Sequence, residues 1–195
     1  MKKSIGIICV CSVLLMCFFA ISNKADNRSN SDQKKNTNTV SSHKVNKKKY
    51  EEKIDWRKPS ENKPYPSLTM EDYVLVDIKK NRAYIKNGNK VLYTMYCSTG
   101  SEKSPTPTGE FTIQERGEHF YNYQSGEGAN YYVSFKDHGV YLFHSVPVDE
   151  NGDYIESEAS ELGKSSNSHG CVRLSVPDAK WFYENAIEGM KVEII

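Results

Sequence analysis

Short apolar runs separated by turn residues dominate the chain from about Tyr65 onward, and this pattern restricts the fold more than any other feature. They are rich in β-branched and aromatic residues, as strands are: YVLVDI, KVLYTMYCSTG, EFTIQE, YYVSF, VYLFH and KVEII. Asn87-Gly88 predicts a tight hairpin between two of them. Helix signals occur at one place, where Ser175 can serve as an N-cap and Pro177 falls in the first turn. We therefore predict a mostly β fold with one clear helix near the C-terminus.

The N-terminus has a different character. Two lysines precede an apolar run of 17 residues, Ile5–Ile21, which indicates an export signal. This length is at the lower limit for crossing a bilayer core of roughly 30 Å, and Ala20-Ile21-Ser22 offers a small-x-small cleavage site. Residues 1–22 are therefore expected to be either a cleaved signal peptide or a retained membrane anchor, and we expect the chain to act outside the cytoplasm, at the membrane or the cell wall.

Residues 23–64 are expected to form a basic, disordered tether, because Asn, Ser, Thr and Lys predominate and few apolar side chains are available for a core. Residues 1–49 carry ten Lys or Arg against two acidic residues, whereas residues 50–195 carry sixteen against twenty-three. The tether is suited either to anionic lipid or wall polymers or to a plain spacer role. The acidic second part of the chain argues against nucleic acid as a partner.

Two cysteines lie outside the apolar N-terminal run. Cys97 falls in a strand-like run, where a thiol behaves as a small buried hydrophobe. Cys171 lies in SNSHGCVRLS, between a long polar loop and the predicted helix, which suits a reactive thiol. A free thiol is only about 3% ionised at neutral pH and needs a base. His144 and His169 are the candidates, and Gly170 frees the backbone to point N–H groups at one spot.

These residues resemble the signature of the L,D-transpeptidase catalytic domain family. The matching elements are Phe143-His144-Ser145, then Ser168-His169-Gly170-Cys171-Val172-Arg173, with SPTPTGEFTI upstream and the helix and last strand downstream. The resemblance covers about residues 72–195. It implies a sandwich-like β-sheet fold for that domain.

The resemblance also implies a reaction at peptidoglycan stem peptides that builds the cell wall. Cys171 would accept the acyl group of a tetrapeptide with release of terminal D-Ala, and the amine of a second stem would then form a 3→3 cross-link. His144 would donate and accept protons, oriented by Ser145, while His169 and Gly170 would support the oxyanion. No cofactor or metal is implied.

The sequence leaves the roles of two further residues and of one loop less well defined. Arg173 and Ser168 are expected to bind substrate, although an ion-pair or packing role for Arg173 is equally compatible with the sequence. The loop between His144 and Ser168 holds 23 residues, longer than in the shortest family members. Its stretch DENGDYIESEASELGKS is acidic, and we expect it to lie over the site and to influence the choice of acceptor.

Three other functions remain open. An L,D-carboxypeptidase would use the same acyl-enzyme and let water finish the reaction. A zinc site could use His144, His169 and Cys171, but a fourth ligand at a familiar spacing is missing. A non-catalytic wall-binding module would have no need of the histidine and cysteine pair.

Overall fold

The computed structural model describes residues 54–195. The predicted export segment and most of the predicted tether lie outside these residues. The described residues form nine strands: β1 (Asp72–Asp77), β2 (Arg82–Asn87), β3 (Lys90–Ser98), β4 (Gly109–Thr112), β5 (Arg116–Asn122), β6 (Glu127–Lys136), β7 (Tyr141–Ser145), β8 (Val172–Leu174) and β9 (Lys191–Ile194). The same part of the chain has two α-helices, α1 (Glu156–Ala159) and α2 (Val176–Asn185), and a 3-10 turn at Ile78–Lys80.

The strands form one sheet in the order β4-β9-β1-β2-β3-β8-β7-β6-β5. The sheet curls so far that strands from its two ends meet. Phe111 of β4 packs on Phe135 of β6 with ring centroids 5.6 Å apart. The Gln114 N–H, just after β4, donates to the Ser134 carbonyl of β6 at 2.7 Å. The predicted mostly β, layered fold is confirmed, although its layers belong to a single curled sheet.

Local sequence signals account for several of these elements. The β2–β3 hairpin turns at Gly88, whose φ of +52° suits a residue without a side chain. Helix α2 begins at the predicted cap, where the Ser175 hydroxyl accepts a hydrogen bond from the Asp178 N–H at 3.2 Å. The second helix, α1, was not predicted. It is a single turn within the acidic loop.

The core lies between the curled sheet and α2. Fully buried side chains from β1, β2, β3, β6, β7, β8 and β9 contact each other and the inner face of the helix. Phe182 of α2 stacks edge-on against Phe143 of β7, with ring centroids 5.1 Å apart. This contact anchors β7, the strand that carries His144, from the inside.

Residues 54–64 correct the predicted extent of the tether, because they pack on the domain. Trp56 is only 6% exposed and contacts Leu162 and Val146 in a second, smaller core. The Ser60 hydroxyl donates to the carboxylate of Asp178, which is fully buried in α2. The sequence assigned this segment to the tether because most of its residues are polar. Its attachment depends on one tryptophan and on hydrogen bonds to partners far away in the chain.

Within residues 54–195, no helix has the length and apolar character needed to cross a membrane.

Candidate active site

The pairing of two interior strands brings the predicted base and nucleophile together. Strands β7 and β8 are parallel neighbours, with His144 opposite Arg173 and Phe143 opposite Val172. Cys171 immediately precedes β8, so its side chain emerges beside the strand that carries His144. Both side chains line one cleft of about 470 Å³.

The β5–β6 hairpin forms one wall of this cleft through Phe120, Asn122, Ser125 and Glu127. Residues 117–130 lie almost entirely within this antiparallel hairpin. At its tip Tyr123 is 90% exposed. On its inner side the Phe120 ring meets the His144 ring edge-on, with centroids 5.6 Å apart.

His144 is buried and held in one orientation. Its Nδ1 lies 2.6 Å from the Ser145 carbonyl oxygen. A carbonyl can only accept, so Nδ1 carries the proton and the lone pair is on Nε2. Burial lowers the pKa of His144 from 6.5 to about 4; the Ser145 carbonyl opposes this and the positive charge of Arg173 adds to it. The side chain is therefore a neutral imidazole at neutral pH, ready to accept a proton.

Cys171 is half-buried, and burial raises the pKa of its thiol. A hydrogen bond from the Leu142 backbone and the charge of Arg173 oppose that rise. The sulfur lies 3.6 Å from the Val140 carbonyl oxygen, to which the thiol donates. With a raised thiol pKa and a lowered imidazole pKa, the resting pair is a thiol and a neutral histidine. The proton must therefore move as the sulfur attacks.

The loop before Cys171 is fixed by hydroxyl groups. Ser168 Oγ donates to the Cys171 carbonyl at 2.6 Å and accepts from the Gly170 N–H at 3.1 Å. Gly170 has a φ of +114°, which disfavours any residue with a side chain. The Gly170 N–H is thus engaged within the loop, and Ser168 and Gly170 both hold the loop in place. Support of the oxyanion by Gly170 and substrate binding by Ser168 stay predictions.

A second segment clamps the same loop from outside. Thr106 Oγ1 accepts from the Gly100 N–H at 2.8 Å and donates to the Gly170 carbonyl at 2.9 Å. Ser104 Oγ donates to the His169 carbonyl at 2.8 Å. Sequence reasoning noted the Ser-Pro-Thr-Pro stretch but missed this role. The only available signal was a pair of hydroxyl residues spaced by proline.

Arg173 is 2% exposed and lies between two carboxylates. Nη1 donates to Glu158 of α1 at 2.6 Å and Nη2 donates to Glu127 of β6 at 2.8 Å. A substrate carboxylate could reach either nitrogen only by displacing a glutamate. The ion-pair alternative is therefore the arrangement observed. Neither glutamate was singled out from the sequence, because their pairing depends on long-range contacts.

His169 is mostly exposed at the edge of the cleft, with Nδ1 3.6 Å from Oε2 of Glu127. Among residues 54–195 there is no group of three or more His, Cys, Asp or Glu side chains arranged to hold a metal ion.

Comparisons with known proteins agree on one family. The family model described as the L,D-transpeptidase catalytic domain (YkuD) matches residues 71–194. The chain is 40% identical over 199 residues to YciB of Bacillus subtilis, named as an L,D-transpeptidase, and the match covers 100% of both proteins.

Solved structures extend the similarity in fold. An L,D-transpeptidase from Mycobacterium smegmatis superposes with a TM-score of 0.53 at 23% identity, covering 64% of this chain and 58% of that one. The L,D-transpeptidase LdtMt1, solved in complex with imipenem, gives 0.54 at 22% identity, covering 64% and 59%. The chain thus spans less than two thirds of these solved proteins.

Proposed function

The chain belongs to the family of L,D-transpeptidase catalytic domains, and from this premise we propose that it forms 3→3 cross-links in peptidoglycan through an acyl-enzyme on Cys171. The observation that carries the proposal is the parallel β7–β8 pairing, which puts a buried neutral imidazole and a half-buried thiol into one cleft. A cysteine and a histidine in that relation are the minimum for acyl transfer.

Acylation begins when Cys171 Sγ attacks the carbonyl carbon of the third residue of a tetrapeptide stem. The thiol proton passes to Nε2 of His144. Collapse of the tetrahedral intermediate breaks the bond to terminal D-Ala, whose nitrogen takes the proton back from His144. The products are a thioester on Cys171 and free D-Ala.

Deacylation follows the same chemical steps with a different nucleophile. The amine of a second stem attacks the thioester carbonyl and gives its proton to His144. Cleavage of the carbon–sulfur bond then returns Cys171 as a thiol, protonated from the imidazole. The energy of the donor peptide bond is conserved in the new amide, so neither a nucleotide nor a cofactor takes part.

The negative oxygen that develops in both steps needs donors. With the Gly170 N–H engaged by Ser168, the Cys171 N–H and the exposed ring of His169 are the proposed donors. Loss of one such donor typically costs about 2.7–4 kcal/mol of transition-state stabilisation.

We place this reaction outside the cytoplasm, where stem peptides are cross-linked. The apolar run Ile5–Ile21 supports export, and the basic residues 23–49 are suited to holding the domain near anionic lipid or wall polymers. Fractionation of cells that express the full chain should find it in the membrane or wall fraction. Recovery in the cytosol alone would contradict this placement.

The test of function is an assay with a tetrapeptide donor and an amine acceptor. The parent chain should yield cross-linked dimer and free D-Ala, and Cys171→Ala should yield neither. Cys97→Ala is the matched control, because Cys97 is fully buried in β3 and its thiol pKa is raised by burial. Dimer formation by Cys171→Ala would refute the nucleophile, and tripeptide without dimer would indicate a carboxypeptidase.

A carbapenem provides a second probe of the same thiol. Its strained lactam carbonyl presents an acyl group to the attacking sulfur, and the relative LdtMt1 has been solved in complex with imipenem. Intact-mass measurement should show one imipenem-derived adduct on the parent and on Cys97→Ala, and none on Cys171→Ala. An unlabelled parent that still turns over peptide would contradict the proposed site.

A further inference from the structure

Glu127 lies on the hairpin side of the cleft, close to the reactive loop. Its Oε2 accepts from Arg173 at 2.8 Å and lies 3.6 Å from Nδ1 of His169, two residues before Cys171. In the described part of the chain, no donor is bound to Oε1 of Glu127. The side chain is 22% exposed and lines the cleft. One oxygen is therefore anchored by Arg173 while the other remains available to a ligand.

The charges around Glu127 do not cancel. Glu127 and Glu158 share the single guanidinium of Arg173, and the Arg173 side chain is almost completely withdrawn from solvent. These two carboxylates and one guanidinium together carry one net negative charge at the cleft. Screening by water is weaker in such a partly enclosed site than on an open surface. The cleft should therefore favour a cation.

The acceptor in the proposed reaction supplies such a cation. An aliphatic amine has a pKa near 10, so it reaches the enzyme as an ammonium group. Before it attacks the thioester on Cys171 it must lose one proton to water, and it gives a second proton to His144 as the amide forms. A fixed carboxylate oxygen beside the reactive loop can bind the ammonium before its attack.

We propose that Glu127 is a specificity-determining residue that binds the ammonium group of the acceptor stem and thereby directs the acyl-enzyme toward cross-linking and away from hydrolysis. Arg173 is the positioning residue that holds Glu127 in place. This inference rests on the proposed function.

The experiment measures how the acyl-enzyme partitions between products. The purified full-length chain is supplied with tetrapeptide donor and either an ammonium-bearing stem acceptor or hydroxylamine, a nucleophile that is uncharged at neutral pH. For Glu127→Gln, the ratio of dimer to hydrolysed tripeptide should fall about tenfold, as expected for loss of a partly exposed charged hydrogen bond. The ratio of hydroxamate to tripeptide should not fall with it. A distorted cleft would lower both ratios.

Glu118→Gln is the matched control, because Glu118 is exposed on β5 of the same hairpin and does not line the cleft. Glu118→Gln removes the same charge and should keep the parent's ratio of dimer to hydrolysed tripeptide. Glu127→Asp retains the carboxylate and should recover part of the dimer yield.

Equal partition in Glu127→Gln and the parent would overturn the inference. A parallel fall for hydroxylamine would also overturn it, because it would assign Glu127 to the shape of the site. Failure of both Glu127 variants to form the acyl-enzyme would overturn the inference as well. Mass detection of the acyl-enzyme on parent Cys171 tests the proposed function separately, so the two failures can be told apart.

Discussion

Acid should destabilise this protein through His144. The pKa of the buried imidazole is about 4 in the folded state against 6.5 when it is solvated. Between these values the unfolded chain takes up a proton that the folded chain does not. The stabilisation is complete above pH 6.5 and is lost as the pH falls toward 4. At about 1.4 kcal/mol per pH unit, the loss amounts to about 3 kcal/mol.

Urea denaturation of the parent and of His144→Asn at about pH 7 and about pH 4 measures this loss. Other groups also take up protons on acidification, including Asp178, whose carboxyl pKa is raised by burial despite its hydrogen bonds. They titrate in both proteins, so the difference between parent and variant isolates the imidazole. The parent should lose about 2–3 kcal/mol more than the variant on acidification. Equal losses would show that His144 is not buried as a neutral base and would refute its role as a ready proton acceptor.

Three other substitutions test separate parts of the structure. In Gly170→Ala, a Cβ would lie 3.0 Å from the Tyr141 ring at a φ of +114°, so donor acylation should fall about tenfold or more while circular dichroism stays that of a folded protein. Thr106→Val leaves the Gly100 N–H and the Gly170 carbonyl without their partner and should cost about 2 kcal/mol in urea denaturation, whereas Thr106→Ser should recover most of it. Trp56→Ala should lower the free energy of unfolding by about 3 kcal/mol, because Trp56 is buried. The same change at the exposed Tyr123 should have almost no effect. An unchanged free energy of unfolding in Trp56→Ala would show that residues 54–64 do not pack on the domain.

The sequence predicted those features whose cause is local. Gly88 marks the β2–β3 turn and Ser175 caps α2, since both effects act within a few residues. The proximity of His144 and Cys171 was also expected, but from a resemblance to a family. Nothing in the local pattern says that β7 and β8 are neighbours, because a parallel pair is joined by a long connection.

The missed features depend on partners far apart in the chain. Arg173 pairs with Glu127 across 46 residues and with Glu158 across 15. The Thr106 hydroxyl donates a hydrogen bond to the carbonyl of Gly170, 64 residues later in the chain. Such contacts exist only after the sheet has curled, so no window of sequence contains them. Trp56 was overlooked because one tryptophan among polar residues carries no periodicity.

The order of strands separates access to the site from the chemistry within it. Strands β7 and β8 are interior, paired on both sides, whereas β5 is at an end of the sheet and pairs on one side only. Local opening begins where few bonds must break, so the hairpin can fray while the centre remains closed to amide exchange. Substrate can therefore enter past the hairpin at the end of the sheet, whereas the imidazole lies on an interior strand and the thiol immediately before one.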